Sequence, residues 1–215
     1  MSERFPRPEE ILRHHYRTRV LHWTIVLTFL FAALSGLALF HPSLFFLSNL
    51  VGGGPWGALL HPFMGLTMAF LFLVFAIPLW RDNIIDARDR QWLSQIQDVL
   101  ANREERLPDV CKFNAGQKLL YFLMVACMAV LASTGFLIWR RYFSGYFPIN
   151  LVRGALVAHA LAAFALVAGV IVHVAAAGWV RGSLGAMMRG KVTLGWAYKH
   201  HRAWFREMMR AGGER

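Results

Sequence analysis

The sequence contains few cysteines, and this scarcity excludes several classes of redox protein. Only two cysteines occur, and neither belongs to a C-x-x-C-H segment, so covalent attachment of a c-type haem is excluded. Two thiols are also too few for an iron–sulfur cluster, which uses about four cysteine ligands. Cys111 lies in a polar segment and Cys127 in the middle of an apolar run, so we expect no disulfide between them.

Charge is also scarce, and most of it has one sign. Charged residues make up 16% of the chain, compared with about 25% in soluble domains. There are 12 Asp and Glu against 23 Lys and Arg. A basic chain could bind nucleic acid, but these basic residues flank apolar runs and form no stripe on a soluble face. We therefore expect contact with membrane lipid and no nucleic-acid partner.

Long apolar runs are the main feature of the chain, in which 57% of the residues are hydrophobic. A helix of about 20 apolar residues spans the ~30 Å hydrocarbon core of a bilayer. The sequence therefore predicts an all-α integral membrane protein, a single membrane domain built as a four-transmembrane-helix bundle. The helices are predicted at 20–40, 59–80, 119–139 and 151–180, with tails at 1–19 and 181–215 and a loop at 81–118 that includes a short surface helix near 92–100.

The distribution of Lys and Arg predicts the orientation of these helices. The two tails and the 81–118 loop together carry 20 of the 23 basic side chains, and the remaining three, Arg140, Arg141 and Arg153, lie at or near the opposite helix ends. Because basic residues accumulate on the cytoplasmic side of bacterial membrane proteins, both termini and this loop are predicted to be cytoplasmic.

Four histidines interrupt the apolar runs, where ionisable residues are costly and are usually functional. The orientation places His61 and His159 near the outer face, and His22 and His173 toward the cytoplasmic face. On the fourth helix, His159 and His173 are 14 residues apart, which is about 21 Å along the axis and within about 40° of the same face. The sequence therefore predicts one histidine pair at each depth.

Haem iron accepts two imidazoles as axial ligands, so each histidine pair is a candidate haem site. Gly36, Gly65 and Gly135 would leave room for a porphyrin. One alternative is that these histidines only form hydrogen bonds across the bundle. A zinc or copper site is less suitable, because two histidines without nearby Cys, Asp or Glu supply too few ligands. The histidines of the two tails, His14, His15, His200 and His201, are expected to be solvated or bound to lipid.

A polar segment directly before the third helix is a candidate quinone site. The amides of Asn114 and Gln117 could form hydrogen bonds with a quinone carbonyl, and Gly116 would allow close approach. A helix N-terminus also favours developing negative charge. The alternative is that Asn114 simply caps the helix.

These motifs resemble the cytochrome b (gamma) subunit of respiratory, membrane-bound formate dehydrogenase, over nearly the whole chain. The matching segments are Leu21-His22-Trp23, Leu60-His61-Pro62-Phe63, residues 112–118, Gly135 to Trp139, Tyr146-Phe147-Pro148, His159, His173, residues 179–183, 190–192 and 199–201.

The resemblance implies a di-haem cytochrome b in the bacterial inner membrane. His61 with His159 would bind the outer haem b, and His22 with His173 would bind the inner one. Menaquinone or ubiquinone would accept the electrons on the cytoplasmic side, near residues 114–117 and His173.

The resemblance also implies partners, because this chain has no residues for formate oxidation. That reaction would belong to a catalytic alpha subunit with molybdenum or tungsten bound to a pterin. An iron–sulfur beta subunit would deliver the electrons from the periplasmic side, and a trimer of heterotrimers is the assembly that the family suggests. The alternatives are a cytochrome b subunit of a related hydrogenase or molybdenum oxidoreductase, or a haem-free membrane anchor.

Overall fold

Four long helices dominate the structure, a computed structural model that describes residues 9–101 and 103–213. Residues 1–8 of the predicted first tail, residue 102 of the predicted loop and residues 214–215 lie outside these ranges. The helices and strands are β1 (Glu10–Leu12), α1 (Tyr16–Phe40), α2 (Gly54–Leu79), α3 (Ala87–Ser94), α4 (Ile96–Leu100), α5 (Ala115–Ile138), α6 (Ile149–Trp179), α7 (Ser183–Arg189), β2 (Lys191–Thr193), α8 (Leu194–His200) and α9 (Arg202–Gly213). Short 3-10 helices occur at Pro42–Val51, Arg81–Asn83, Glu104–Arg106 and Ser144–Tyr146.

The four long helices, α1, α2, α5 and α6, confirm the predicted all-α membrane fold. They contain 25, 26, 24 and 31 residues, and even 24 residues extend about 36 Å, enough to cross a bilayer. Between 11% and 22% of each helix's most apolar window is buried inside the protein. The apolar surface therefore faces outward, as in a multi-pass membrane protein.

Each long helix begins before the apolar run that predicts it. The helix α1 begins at Tyr16 instead of residue 20, and α5 begins at Ala115 instead of residue 119. The added first turns, Tyr16–Arg19 and Ala115–Lys118, are more polar than the runs that they precede. Hydropathy marks the segment that lies in hydrocarbon, whereas the helix itself continues into polar residues.

One compact unit, which we call the apolar unit, comprises residues 20–78 and 122–174. All four long helices contribute to its core, which explains why they form a bundle. Its buried cluster consists of Ala32 from α1, Met68 from α2, Cys127 and Met128 from α5, and Leu166 from α6.

A second compact unit, which we call the polar unit, comprises the described parts of residues 1–19, 79–121 and 175–215. The strands β1 and β2 pair antiparallel within it, with Ile11 opposite Val192. Its core is formed by Ala186, Val192, Ala197 and Trp204, against which Ile11 also packs. The described parts of the two tails therefore fold together.

Arg13 and His201 form a buried polar contact inside the polar unit. The Arg13 guanidinium lies between Trp196 and Trp204, 5.0 Å and 4.8 Å from their ring centroids. It donates to the carbonyl oxygen of Lys112 (2.7 Å) and lies 3.2 Å from His201 Nε2. Burial lowers the pKa of Arg13 to about 10.

The expectation that His201 is solvated is wrong, because this residue is only 3% exposed. Its Nδ1 lies 2.7 Å from the Cys111 carbonyl oxygen, the acceptor for its N–H. Burial, together with the positive charge of Arg13, lowers the pKa of His201 to about 3. His201 is therefore neutral near pH 7, and its Nε2 accepts a hydrogen bond from Arg13.

The predicted surface helix of the 81–118 loop is two helices, and part of it is buried. Asp86 caps α3 reciprocally with Asp89, and Trp92 is 7% exposed. Lys118, in the first turn of α5, forms a 2.6 Å ion pair with Asp89 and donates to the Ile84 carbonyl oxygen (3.0 Å). These two contacts join the loop to the start of α5, and the ion pair between them is buried.

Candidate functional site

The four histidines of the apolar runs lie together as two pairs inside the apolar unit. The rings of His61 and His159 have centroids 6.4 Å apart, and those of His22 and His173 are 6.3 Å apart. These are the same two pairs that the topology predicts. In each pair, one ring comes from α6 and the other from α1 or α2.

The spacing of the rings suits a single metal ion between them. An imidazole nitrogen lies about 2.0 Å from a metal ion that it binds, and the ring centre lies roughly 1.2 Å further out. Two imidazoles on opposite sides of one ion therefore have centres about 6.4 Å apart. Both pairs have this separation, which also falls within the range of about 4.5–7 Å for ordinary aromatic contacts.

The donor set suits haem iron better than zinc. Among the described residues, no group of three or more His, Cys, Asp or Glu side chains could hold a metal ion. A structural zinc site takes about four protein ligands, so a histidine pair is too small for it. Haem iron takes its other ligands from the porphyrin and only axial ligands from the protein, so two histidines are sufficient.

Ser35 holds the His61 ring from the neighbouring helix α1. The Ser35 hydroxyl donates to the Phe31 carbonyl oxygen (2.7 Å) and lies 2.9 Å from His61 Nδ1. Because a hydroxyl has one hydrogen, its oxygen is left to accept from the His61 Nδ1–H. Ser35 is fully buried, so this contact is shielded from solvent.

Thr134 on α5 repeats this arrangement for His159. Its hydroxyl donates to the Val130 carbonyl oxygen (2.6 Å) and lies 2.9 Å from His159 Nδ1. In both pairs of helices, the hydroxyl residue stands 25 or 26 positions before its histidine. Sequence reasoning missed both hydroxyls, although the repeated dipeptides Ser35-Gly36 and Thr134-Gly135 were a signal for them.

The glycines of these dipeptides make room for the histidine rings. A Cβ at Gly36 would lie 3.1 Å from His61 Cε1, and one at Gly135 would lie 3.3 Å from His159 Cε1. Of the three glycines expected to admit a porphyrin, Gly36 and Gly135 therefore have a histidine ring in the space beside them. Only Gly65 faces open space, with no atom within 4 Å of a Cβ built there.

The His22 and His173 pair has a different environment. The ring of His22 packs edge-on against Trp23 (5.3 Å between centroids) and lies 6.1 Å from Phe75. Its Nδ1 atom is buried and has no hydrogen-bond partner among the described residues. A buried polar atom without a partner is rare and calls for an explanation, such as an absent water or ligand.

The predicted quinone residues form a helix cap in the polar unit. Gln117 N–H donates to Asn114 Oδ1 (2.9 Å), and Asn114 N–H donates to Gln117 Oε1 (3.0 Å). This reciprocal pair is a capping box, which satisfies two amide groups at the start of α5. The close neighbour of Gly116 is Trp92, whose ring would lie 3.3 Å from a Cβ there. A quinone-binding role for these residues stays a prediction.

A small pocket, with a cavity volume of about 10 Å³, lies at the start of α5 within the polar unit. Its lining includes Asp89 and Lys118, the buried ion pair, together with Trp92 and Cys111. Burial raises the pKa of the Cys111 thiol, so this thiol is protonated near pH 7.

Comparison with known proteins assigns the chain to a known family. The family model for prokaryotic cytochrome b561 matches residues 13–190. The chain is 39% identical over 201 residues to the cytochrome b556 subunit of the nitrate-inducible formate dehydrogenase of Escherichia coli K12, covering 94% of this chain and 93% of that protein. It is 38% identical to the formate dehydrogenase cytochrome b556 subunit of Haemophilus influenzae, over 92% of this chain and 83% of that one. A second Escherichia coli K12 formate dehydrogenase cytochrome b556 subunit is 36% identical, over 94% and 95% of the two chains.

Proposed function

The chain belongs to the prokaryotic cytochrome b561 family, and on that premise we propose that it is the cytochrome b subunit of a membrane-bound formate dehydrogenase. In this proposal it binds two b-type haems, anchors the complex and passes electrons to a quinone. The relatives that match almost end to end, all named as formate dehydrogenase cytochrome b556 subunits, support this assignment.

The observation that carries the proposal is the spacing of the two histidine pairs. Separations of 6.4 Å and 6.3 Å suit one iron between each pair of rings. His61 and His159 would hold one haem, and His22 and His173 the other. When bound, haem supplies one-electron redox chemistry, and two protein ligands leave no iron position for oxygen. Such sites suit electron transfer.

The direction of electron transfer is inferred from the family, and the proposed orientation in the bacterial inner membrane assigns each haem to one side. The 20 basic residues in the tails and the 81–118 loop support a cytoplasmic location for both termini. His61 and His159 would then lie toward the periplasm, and His22 and His173 toward the cytoplasm. An iron–sulfur beta subunit would deliver electrons at the periplasmic side, from an alpha subunit that carries molybdenum or tungsten. The family suggests a trimer of such heterotrimers.

The quinone would bind at the capped N-terminus of α5, with menaquinone or ubiquinone as the acceptor. The capping box uses only the side-chain oxygens of Asn114 and Gln117 as acceptors. Each amide therefore keeps its NH₂ group, which is the donor that a quinone carbonyl requires. Helix capping and quinone binding are compatible for this reason, and the α5 N-terminus would stabilise the negative charge of a reduced quinone.

The first test is a count of haems per polypeptide. The full-length chain is purified in mild detergent, and dithionite-reduced minus oxidised spectra are recorded together with a haem assay. We expect two b haems, of which His61→Ala and His173→Ala each remove a different one. His41→Ala is the matched control, because His41 only caps a 3-10 helix through Ser43 N–H (3.2 Å). A chain without haem, after expression with adequate haem supply, would contradict the proposal and leave a haem-free anchor.

A further inference from the structure

We infer that Ser35 and Thr134 are positioning residues that lower the midpoint potential of the haem held by His61 and His159 below that of the haem held by His22 and His173. The inference rests on the proposed function, because it assumes a haem at each pair. It concerns a property that the histidines alone do not determine, namely which of the two sites holds an electron more weakly.

The first step is the direction of the two hydrogen bonds. Both hydroxyls already donate to a carbonyl oxygen one turn earlier in their own helix, Phe31 for Ser35 and Val130 for Thr134. A neutral imidazole that binds a metal ion through Nε2 carries its proton on Nδ1. The Nδ1–H groups of His61 and His159 then donate to the hydroxyl oxygens of Ser35 and Thr134.

The second step is the effect of this contact on the ligand. A partner that accepts from the far N–H of a metal-bound histidine makes the ring more basic and fixes its orientation. A more basic ligand stabilises ferric iron relative to ferrous iron and so lowers the potential, since hydrogen bonding around the ligands is one of the means by which proteins tune haem.

The third step is the contrast with the second pair. The Nδ1 atom of His22 is buried and has no hydrogen-bond partner among the described residues. Its ring contacts Trp23, Phe75 and His173, and none of these offers the lone pair of an oxygen. No described residue therefore gives His22 the contact that makes His61 and His159 more basic. One site has two strengthened ligands, and the other has at least one that is not strengthened.

This asymmetry favours electron flow from the His61 and His159 site to the His22 and His173 site. When an electron moves from the lower-potential site to the other site, the first iron would become ferric and the second would become ferrous. Loss of an outer contact of this kind typically costs a metal site about 10- to 100-fold in metal affinity or activity. We therefore expect removal of both hydroxyls to favour the ferrous form of that haem about tenfold, which corresponds to about 59 mV for a one-electron couple.

The experiment is a redox titration of the purified full-length chain, followed by the visible spectrum of each haem. The variants are Ser35→Ala, Thr134→Val and the double variant, with haem content measured in each. His173→Ala identifies which titration wave belongs to the remaining His61 and His159 site. We expect the lower-potential wave to shift upward in the double variant and the higher-potential wave to stay in place. Ser35→Thr and Thr134→Ser, which keep the hydroxyl, should restore the original wave.

Ser133→Ala is the matched control. Ser133 is adjacent to Thr134 and donates to the Ala129 carbonyl oxygen in the same way (2.8 Å), but it contacts no histidine among the described residues. Unchanged waves in the double variant, or equal shifts of both, would overturn the inference while leaving the two-haem proposal intact. If Ser35→Ala loses its haem, Thr134→Val decides alone, because it preserves the shape of the side chain. A wild-type chain without haem would instead overturn the proposed function.

Discussion

Replacement of Gly36 by alanine is expected to weaken the binding of one of the two haems while the helical bundle stays folded. The new Cβ would lie 3.1 Å from His61 Cε1, whereas carbon atoms in contact prefer about 3.5–4.0 Å. The His61 ring would have to move by roughly 0.4 Å or more, and metal–ligand distances tolerate only about 0.2 Å. The substitution therefore acts on the ring that the proposed haem requires.

The magnitude of this effect follows from the cost of overpacking. Inserting a methyl group into a filled site typically costs about 1–3 kcal/mol, which corresponds to roughly 5- to 150-fold weaker haem binding at the His61 and His159 pair. Alanine also favours the helix over glycine by about 1 kcal/mol, so the bundle itself should not be destabilised. Gly135→Ala, with a clearance of 3.3 Å from His159 Cε1, should have a smaller effect in the same direction.

The assay is the titration of haem into the purified variants, with haem per polypeptide and thermal unfolding measured in parallel. Gly154→Ala is the control, because a Cβ at Gly154 has no atom within 4 Å and this position lies on the same helix as His159. We expect the control to bind two haems at wild-type affinity, and Gly36→Ala to bind the haem of the His61 and His159 pair about 5- to 150-fold more weakly. Two haems bound at wild-type affinity by Gly36→Ala would refute the assignment of His61 as an axial ligand.

Three further predictions concern the polar unit. Lys118→Met should lower the free energy of unfolding of this unit by about 3–5 kcal/mol, because it leaves the buried carboxylate of Asp89 without its partner; an unchanged denaturant midpoint would contradict the buried ion pair. Acid should destabilise the same unit as the pH falls from 6.5 toward 3. Burial and the charge of Arg13 lower the pKa of His201 to about 3, so the unfolded chain binds this proton at a higher pH than the folded chain. His201→Gln should flatten the pH dependence of the melting temperature, and an equally steep profile would count against the buried histidine. Asn114→Asp and Gln117→Glu keep the capping oxygens but lose the NH₂ donors. Helix stability should therefore be unchanged, while quinone reduction by the purified complex should be slower. Normal quinone kinetics with both variants would mean that these residues only cap the helix.

The membrane-spanning helices could be predicted from the sequence because the bilayer imposes a length and a polarity on them. The helices α1, α2, α5 and α6 coincide with the four apolar runs, and each begins two to five residues before its run. The pairing of His61 with His159 and of His22 with His173 followed from depth alone, since successive helices are predicted to cross the membrane in opposite directions. Depth is a one-dimensional property that hydropathy and charge can supply.

The contacts that hold these rings could not be predicted in the same way, because they depend on the rotation of each helix about its axis. Ser35 and Thr134 face histidines of neighbouring helices, whereas Ser133, one residue away, does not. Nor does hydropathy show that Arg13 lies buried between two tryptophans, because a basic tail normally indicates solvent or lipid. The folding of the polar unit depends on pairing between distant segments, such as Ile11 with Val192.

The most direct test of the central claim is low-temperature electron paramagnetic resonance of the oxidised, purified chain, integrated against its haem content. If each histidine pair holds one iron by both rings, the spectrum will contain two low-spin ferric signals, each equal to one spin per polypeptide. His61→Ala should abolish one signal and His173→Ala the other. A major high-spin signal in the wild-type chain would mean that an iron lacks one of its two imidazoles, and would contradict the paired ligation on which the account rests.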